Sequence, residues 1–237
     1  MSEAVGHVDI GLAGLSVMVG IPAGRDFPPQ TVSSLLGTFD VLRRLGVPAH
    51  LGMVINSGVV QWARDEVVDI FLASEANRLF WVDSDMDWQP AQFMRLLALS
   101  QRLDIVGASY AAKRDQPTFF VRLDPERAER NEYGLLSALG FGLGFTVMTR
   151  AAVEAIAAAS PRVLDQVSGK EIAEVFRVGG HEGRRRGEDM AFFADLRRLG
   201  YPAWLDPDMV LGHVGPKVYS GRLSDALAPP GGAGPDG

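Results

Sequence analysis

The sequence predicts an α/β fold, a mostly parallel central sheet flanked by helices. Three observations carry that prediction. Short apolar runs alternate with helical periodicities, the pattern of strands buried on both faces and joined by crossover helices. The first run is closed by Pro22 and Gly24 and the third by Asp83, and acidic and basic residues collect just past the ends of the runs. The 237-residue chain is 47% hydrophobic and 22% charged, which supports a buried core and excludes global disorder.

Residues 15–21 form an apolar run ended by Pro22, Gly24 and the cluster from Asp26 to Pro29, a buried strand entering a loop. Leu35, Leu36, Phe39, Leu42 and Leu45 recur at helical spacing over 31–45, and Gly46 and Pro48 stop that helix. A second strand is expected at 50–55, then a helix over 57–74 with Val60, Arg64, Val67 and Phe71 on one face. The third strand, 79–82, is wholly apolar and ends in Asp83-Ser84-Asp85-Met86-Asp87. Pro90 opens a helix bearing Phe93, Leu96, Leu97 and Ser100, and 104–108 is the fourth strand.

The second half is less regular. Strands are expected at 118–123 and 145–148, with a glycine-rich turn over 140–144 between them. Thr149 is an N-cap for a helix over 150–159. Residues 160–187 show weak periodicity and read as a partly mobile loop. A helix over 188–199 closes at Gly200, a strand follows at 203–205, and 229–237 is a Pro/Gly-rich tail expected to be disordered.

Composition narrows the chemistry. The chain has no Cys, which excludes disulfides, thiolate metal sites and Cys nucleophiles. Lys plus Arg number 23 against 29 Asp plus Glu, a net charge of −6, so no broad nucleic-acid surface is expected. The first ten residues carry Glu3, His7 and Asp9 without a basic stretch, unlike a signal peptide, and no apolar run is long enough to span a bilayer. A cytoplasmic location is expected.

In open α/β sheets ligands bind beyond the carboxyl ends of the strands, where the loop at 22–26 and the acidic cluster both fall. Asp83 and Asp85, two apart, leave the same side of an extended backbone. Crowded carboxylates repel, and a hard divalent cation relieves that repulsion; a solvated acidic turn is the plain alternative. Gly187-Glu188-Asp189 opens a helix, where carboxylates serve as caps or, beside a cleft, as a general base. His213, between Gly212 and Gly215, is either structural or a neutral imidazole completing a carboxylate metal site. Gly142 and its neighbours allow close backbone approach or merely a tight turn. Arg64, Lys113 and Arg114 are phosphate partners or surface charges with buried stems, and Arg184 to Arg186 a solvated loop or an anion lid.

Taken in order, Ile21-Pro22-Ala23-Gly24-Arg25, Ala63-Arg64-Asp65, Leu79 through Met86, Tyr110 with Lys113, Gly142 through Phe145, Gly187 through Phe192 and Leu211 through Gly215 resemble a glycosyltransferase of the GT-A fold, close to family-2-like and phage-type members. The match covers roughly residues 15–215. It implies one catalytic domain over 1–226, with a nucleotide-sugar half at about 15–110, an acceptor half at 111–215 and a tail at 227–237. It further implies Mn²⁺ or Mg²⁺ held by Asp83, Asp85 and His213, with Asp85 the more direct ligand. Pro22, Ala23 and Arg25 match the base and ribose loop, and Arg64, Asp83, Ser84, Lys113 and Gly142 join the nucleotide-sugar site. Asp189, beside Glu188, matches the base of inverting members. Similar proteins often carry Asn after the Arg, whereas Asp65 stands here.

The activity so implied is metal-dependent transfer of a sugar from a nucleotide-diphosphate sugar to an acceptor hydroxyl. The acceptor stays open: glycan, lipid, protein, small molecule or modified nucleobase. A nucleotidyltransferase is expected to carry a glycine-rich loop with Arg and Lys after its first strand, and 21–27 has one Gly and no Lys. A phosphatase of the haloacid-dehalogenase type needs its Asp-x-Asp after the first strand. A non-catalytic nucleotide-sugar-binding module would explain a cleft but not the combination of acidic strand end, Glu188-Asp189 and His213.

Overall fold

The computed structural model describes residues 11–24, 26–55, 57–165, 169–181 and 184–227. Arg25, the first ten residues and the tail at 228–237 lie outside them. The first half contains β1 (Val17–Ala23), α1 (Pro29–Arg44), β2 (Ala49–Ile55), α2 (Val60–Leu72), β3 (Arg78–Val82), β4 (Met86–Asp87), α3 (Pro90–Leu99) and β5 (Ile105–Ala108). Next come β6 (Val121–Leu123), β7 (Leu136–Phe141), β8 (Phe145–Thr149), α4 (Arg150–Ala159), β9 (Arg162–Leu164), β10 (Glu171–Ala173), β11 (Gly179–His181) and β12 (Arg184–Arg186). The last are α5 (Glu188–Arg198), β13 (Ala203–Asp206), β14 (Gly212–Val214), β15 (Val218–Tyr219) and α6 (Leu223–Leu227).

The central sheet has eight strands in the order β2-β1-β3-β8-β5-β13-β7-β6. β2, β1 and β3 run parallel, as do β5 and β13, while β8 and β7 run against their neighbours. This is the α/β class that the sequence predicts, a mostly parallel sheet flanked by helices. Alternate strand residues feed two cores. Met18, Leu79, Trp81, Ile105 and Met148 join the layer beneath α2, α4 and α5. Val17, Val19, Phe80, Val82, Val106 and Val147 join the layer beneath α1 and α3. Burial on both faces is why these strands read as unbroken apolar runs.

Local signals hold where the residues are strong. Thr149 caps α4, its hydroxyl accepting from the Ala152 N–H at 3.4 Å. Gly20 lets α2 close on the sheet, because a Cβ there would stand 2.6 Å from Val67 Cγ1. Two expectations need correction. Gly140 is not in a turn; it lies within β7, where a Cβ would meet Met190 Sδ at 2.6 Å, and the turn is confined to Gly142 through Gly144. The stretch 160–187 is not one loop, for β9 pairs with β10 and β11 with β12, three-residue strands too short to show a period. Among the described residues no helix is long and apolar enough to cross a membrane.

A small sheet, β15-β14-β4, stands apart from the main one and pairs His213 with Met86 and Gly212 with Asp87. It brings the distant histidine to the acidic strand end. Phe80 stacks on Phe93 at 3.8 Å and meets Phe145 edge-on at 5.0 Å, fully buried between β3, α3 and β8. We expect Phe80→Ala to cost about 3–5 kcal/mol in chemical denaturation, with most of the cost from the void left between those rings. A loss below about 1 kcal/mol would show that this contact does not anchor α3.

Candidate active site

The carboxyl end of β3 is where the site is assembled. Asp83 donates its N–H to the Gly144 carbonyl at 3.0 Å, and the Met86 N–H returns to the Asp83 carbonyl at 3.2 Å. The backbone therefore turns, and the alternation that would place Asp83 and Asp85 on one side ends at Val82. The two carboxylates take different partners. Asp83 Oδ2 accepts from the Tyr110 hydroxyl at 2.8 Å, and Asp83 Oδ1 lies 3.5 Å from Arg64 Nη2. Asp85 Oδ2 accepts from Lys113 Nζ at 2.6 Å and stands 3.4 Å from His213 Nε2. Ser84 sits between them in the turn, half-buried.

Arg64, on α2, is 4% exposed and faces carboxylates from both halves of the chain. Its Nη1 donates to Asp189 Oδ1 at 2.5 Å and lies 3.4 Å from Glu188 Oε1. The Phe176 ring covers it, 5.5 Å from the guanidinium carbon, while Arg64 Nε has no partner among the described residues. Burial works against the charge, but Asp189, Asp83, Tyr110 and Glu188 hold the guanidinium protonated. The expected phosphate partner is thus occupied as a carboxylate clamp.

Asp189 and Glu188 stand in the first turn of α5. Burial pushes the Asp189 carboxyl up to about 6; Arg64 opposes that, Asp83 and Glu188 add to it, and the Leu143 N–H, 3.4 Å from Oδ2, pulls it back. Oδ1 is taken by Arg64, which leaves Oδ2 the freer oxygen. Beside it opens a cleft of about 250 Å³ walled by Ser109, Tyr110, Phe120, Gly142, Gly187, Glu188, Asp189 and Met190. Gly142 and Gly144 are small for a reason. A Cβ on Gly142 would lie 2.9 Å from the Tyr110 hydroxyl, and one on Gly144 would lie 2.2 Å from Asp83 Oδ2.

Pro22 and Ala23 are buried at the end of β1, in register with Val54 and Ile55. Among the described residues no three His, Cys, Asp or Glu side chains converge on one point as a metal cage. Asp85 and His213 nevertheless fit a divalent cation as a two-residue donor set. His213 Nδ1 lies 3.0 Å from the Ala111 carbonyl, which can only accept, so Nδ1 carries the proton. Nε2, 3.4 Å from Asp85 Oδ2, is then the ring nitrogen left to share a cation with that carboxylate. Mg²⁺ and Mn²⁺ are commonly held by one or two protein groups and completed by phosphate oxygens and water. Burial pushes the Asp85 carboxyl up, but His213 and Lys113 outweigh it and hold the group below the ordinary carboxylate range.

Sequence reasoning assigned no part to Asp65, Phe176 or the Tyr110 hydroxyl. Asp65, 3% exposed, accepts from the Val175 and Phe176 N–H groups at 2.8 and 2.9 Å and so fixes the segment that roofs Arg64. Its place beside Arg64 was the available signal. Burial pushes the Asp65 carboxyl up to about 7, partly opposed by those two N–H groups. An acid raised in the folded state binds more protons there than in the unfolded chain. Stability from this group therefore declines as pH rises from about 4 to about 7. Asp65→Asn keeps an accepting oxygen without the charge. We expect its melting temperature to exceed that of the unaltered protein by a margin that widens between about pH 4 and pH 8; a flat margin would contradict the raised carboxyl.

No protein-family model matches this chain, and no curated protein matches it. Solved structures with some likeness include a glycosyltransferase involved in the glycosylation of the major capsid of PBCV-1. It is 10% identical at a TM-score of 0.30, over 59% of this chain and 62% of that one, so the chain spans under two thirds of its length. A second is the 4-diphosphocytidyl-2C-methyl-D-erythritol synthase from Anaerococcus prevotii, 11% identical at a TM-score of 0.35, over 65% of this chain and 79% of that one. Likeness at this level decides nothing about the reaction, which rests on the side chains described above.

Proposed function

We propose that this protein is a metal-dependent glycosyltransferase that moves a sugar from a nucleotide-diphosphate sugar to an acceptor hydroxyl with inversion at the anomeric carbon. One observation carries the reading. A single network, Asp189–Arg64–Asp83–Tyr110, sets a carboxylate of near-neutral pKa beside a cleft, with an Asp–His pair next to it at the same sheet edge. The order of these residues along the chain resembles GT-A glycosyltransferases, which adds to the reading.

In this reading Asp85 and His213 Nε2 would hold Mn²⁺ or Mg²⁺. The ion when bound would neutralise charge on the departing diphosphate. Lys113 Nζ, already on Asp85, supplies a second positive charge at the same place. Pro22, Ala23 and Arg25 would line the base and ribose. Asp189 accepts the acceptor's hydroxyl proton at Oδ2 while Arg64 holds Oδ1, so the base is oriented by a charge that itself cannot titrate. Asp83 is held by Tyr110 and Arg64 and steadies the clamp.

Thermal stabilisation by UDP-, GDP-, CMP- and dTDP-sugars, with and without Mn²⁺, tests the donor site. We expect one nucleotide to stabilise the protein with metal and Asp85→Ala to abolish the metal-dependent part. Stabilisation only by free triphosphates, with pyrophosphate release, would instead identify a nucleotidyltransferase. Asp189→Asn should keep that stabilisation and lose transfer by about a hundredfold to ten-thousandfold. In the unaltered protein the ionised base is lost below its pKa, so kcat/KM should fall with acid around an inflection near 6. A profile level down to pH 5 would remove Asp189 from the role of base.

A further inference from the structure

The cleft beside Asp189 has one wall that the proposed chemistry does not use. Phe120 is 60% exposed, although its neighbour Phe119 packs on the core. Isolated exposed apolar residues are common and mean little alone. Phe120 differs in its position and in the rigidity of its frame. It lines the same 250 Å³ cleft as Glu188 and Asp189. On one side the Ala112 N–H is bonded to the Thr118 carbonyl at 2.7 Å, and on the other Val121 is paired with Phe141 in the main sheet. Among the described residues its ring stacks on no other aromatic; the Arg114 guanidinium stands 5.8 Å from its centre.

We propose that Phe120 is the platform on which the acceptor stacks, and that the acceptor is a saccharide. The inference rests on the glycosyltransferase reading and deepens it. A pyranose offers a face of C–H groups to an aromatic ring and hydroxyl donors around its rim. Here the apolar ring and two carboxylates bound one narrow space, matching those two surfaces. A lipid chain would leave Glu188 and Asp189 against hydrocarbon, and an acidic acceptor would meet like charge. At about 250 Å³ the space falls just below the usual range for ligand cavities and suits a single ring. With the sugar on Phe120, one hydroxyl turns to Asp189. Its proton passes to Oδ2, its oxygen bonds the donor's anomeric carbon, and the bond from that carbon to the diphosphate oxygen breaks, the electron pair leaving with the diphosphate.

Saturation-transfer NMR and calorimetry with methyl glucopyranosides, galactopyranosides and mannopyranosides, and with uridine as the flat-ring control, test this. At least one glycoside should bind the unaltered protein, with the strongest transfer to the C–H protons of one face. Phe120→Ala should weaken that glycoside by about tenfold, and Phe120→Tyr or Phe120→Trp should restore most of it. In transfer assays the loss should appear in the acceptor KM rather than in kcat. Equal binding by Phe120→Ala, binding of uridine alone, or no glycoside binding by the unaltered protein would each overturn the proposal. Donor stabilisation is read separately. Donors that stabilise while glycosides fail to bind would sink the saccharide assignment alone, and glycosides that need Phe120 while no donor stabilises would sink the transferase reading.

Discussion

A guanidinium removed from water must be matched by charge, and Arg64 is matched by Asp83 from the end of β3 and by Glu188 and Asp189 from the start of α5. Each partner depends on the others. Without the carboxylates the buried cation would face a desolvation penalty of several kcal/mol with no compensation. Without the cation, carboxylates more than a hundred residues apart in sequence would repel across the same space. One ion cluster thus ties the first half of the chain to the second, and its charges modulate a carboxyl at the cleft that burial has already raised. Phe176 roofs the cluster, and Asp65 holds the roof by two backbone hydrogen bonds.

Close backbone approach is the second constraint. Gly144 is where a side chain would strike Asp83, and Gly142 where one would strike Tyr110. Gly212 plays a similar part in the small sheet, since a Cβ there would stand 2.9 Å from both Asp87 Cβ and Val218 Cγ1. That tight pairing of β4 with β14 delivers His213 to Asp85, and the Ala111 carbonyl then settles which ring nitrogen is free. The cluster around Arg64 and the pair around Asp85 meet through Tyr110, whose ring touches His213 edge-on at 4.9 Å and whose hydroxyl holds Asp83.

Much of the architecture was legible in local pattern. The apolar runs at β1, β3 and β5, the proline at the start of α3 and the threonine before α4 each specify their element through short-range physics, namely two-faced burial, a fixed φ and a capping oxygen. Asp83, Asp85, Asp189 and His213 also stood out, because carboxylates at strand ends and helix starts and a glycine-flanked imidazole are chemically conspicuous. β7 did not stand out, since Gly140 breaks its apolar run, and neither did the three-residue hairpins between α4 and α5.

Sequence by itself determined the fold class and the residue types available for chemistry, because hydrophobic period and side-chain identity are properties of neighbours in the chain. Tertiary structure alone decided their partners. Arg64 reads as a phosphate ligand until α5 folds against it, after which its charge belongs to carboxylates. Asp83 and Asp85 read as one pair until the turn at the end of β3 sends them to different partners. Asp65 shows in sequence only as the neighbour of Arg64 and Phe120 not at all, since the role of each is set by residues far along the chain: the backbone of Val175 and Phe176 for one, the acidic wall of the cleft for the other. Charge pairing and burial act through space, and the distances that decide them exist only once the sheet is complete.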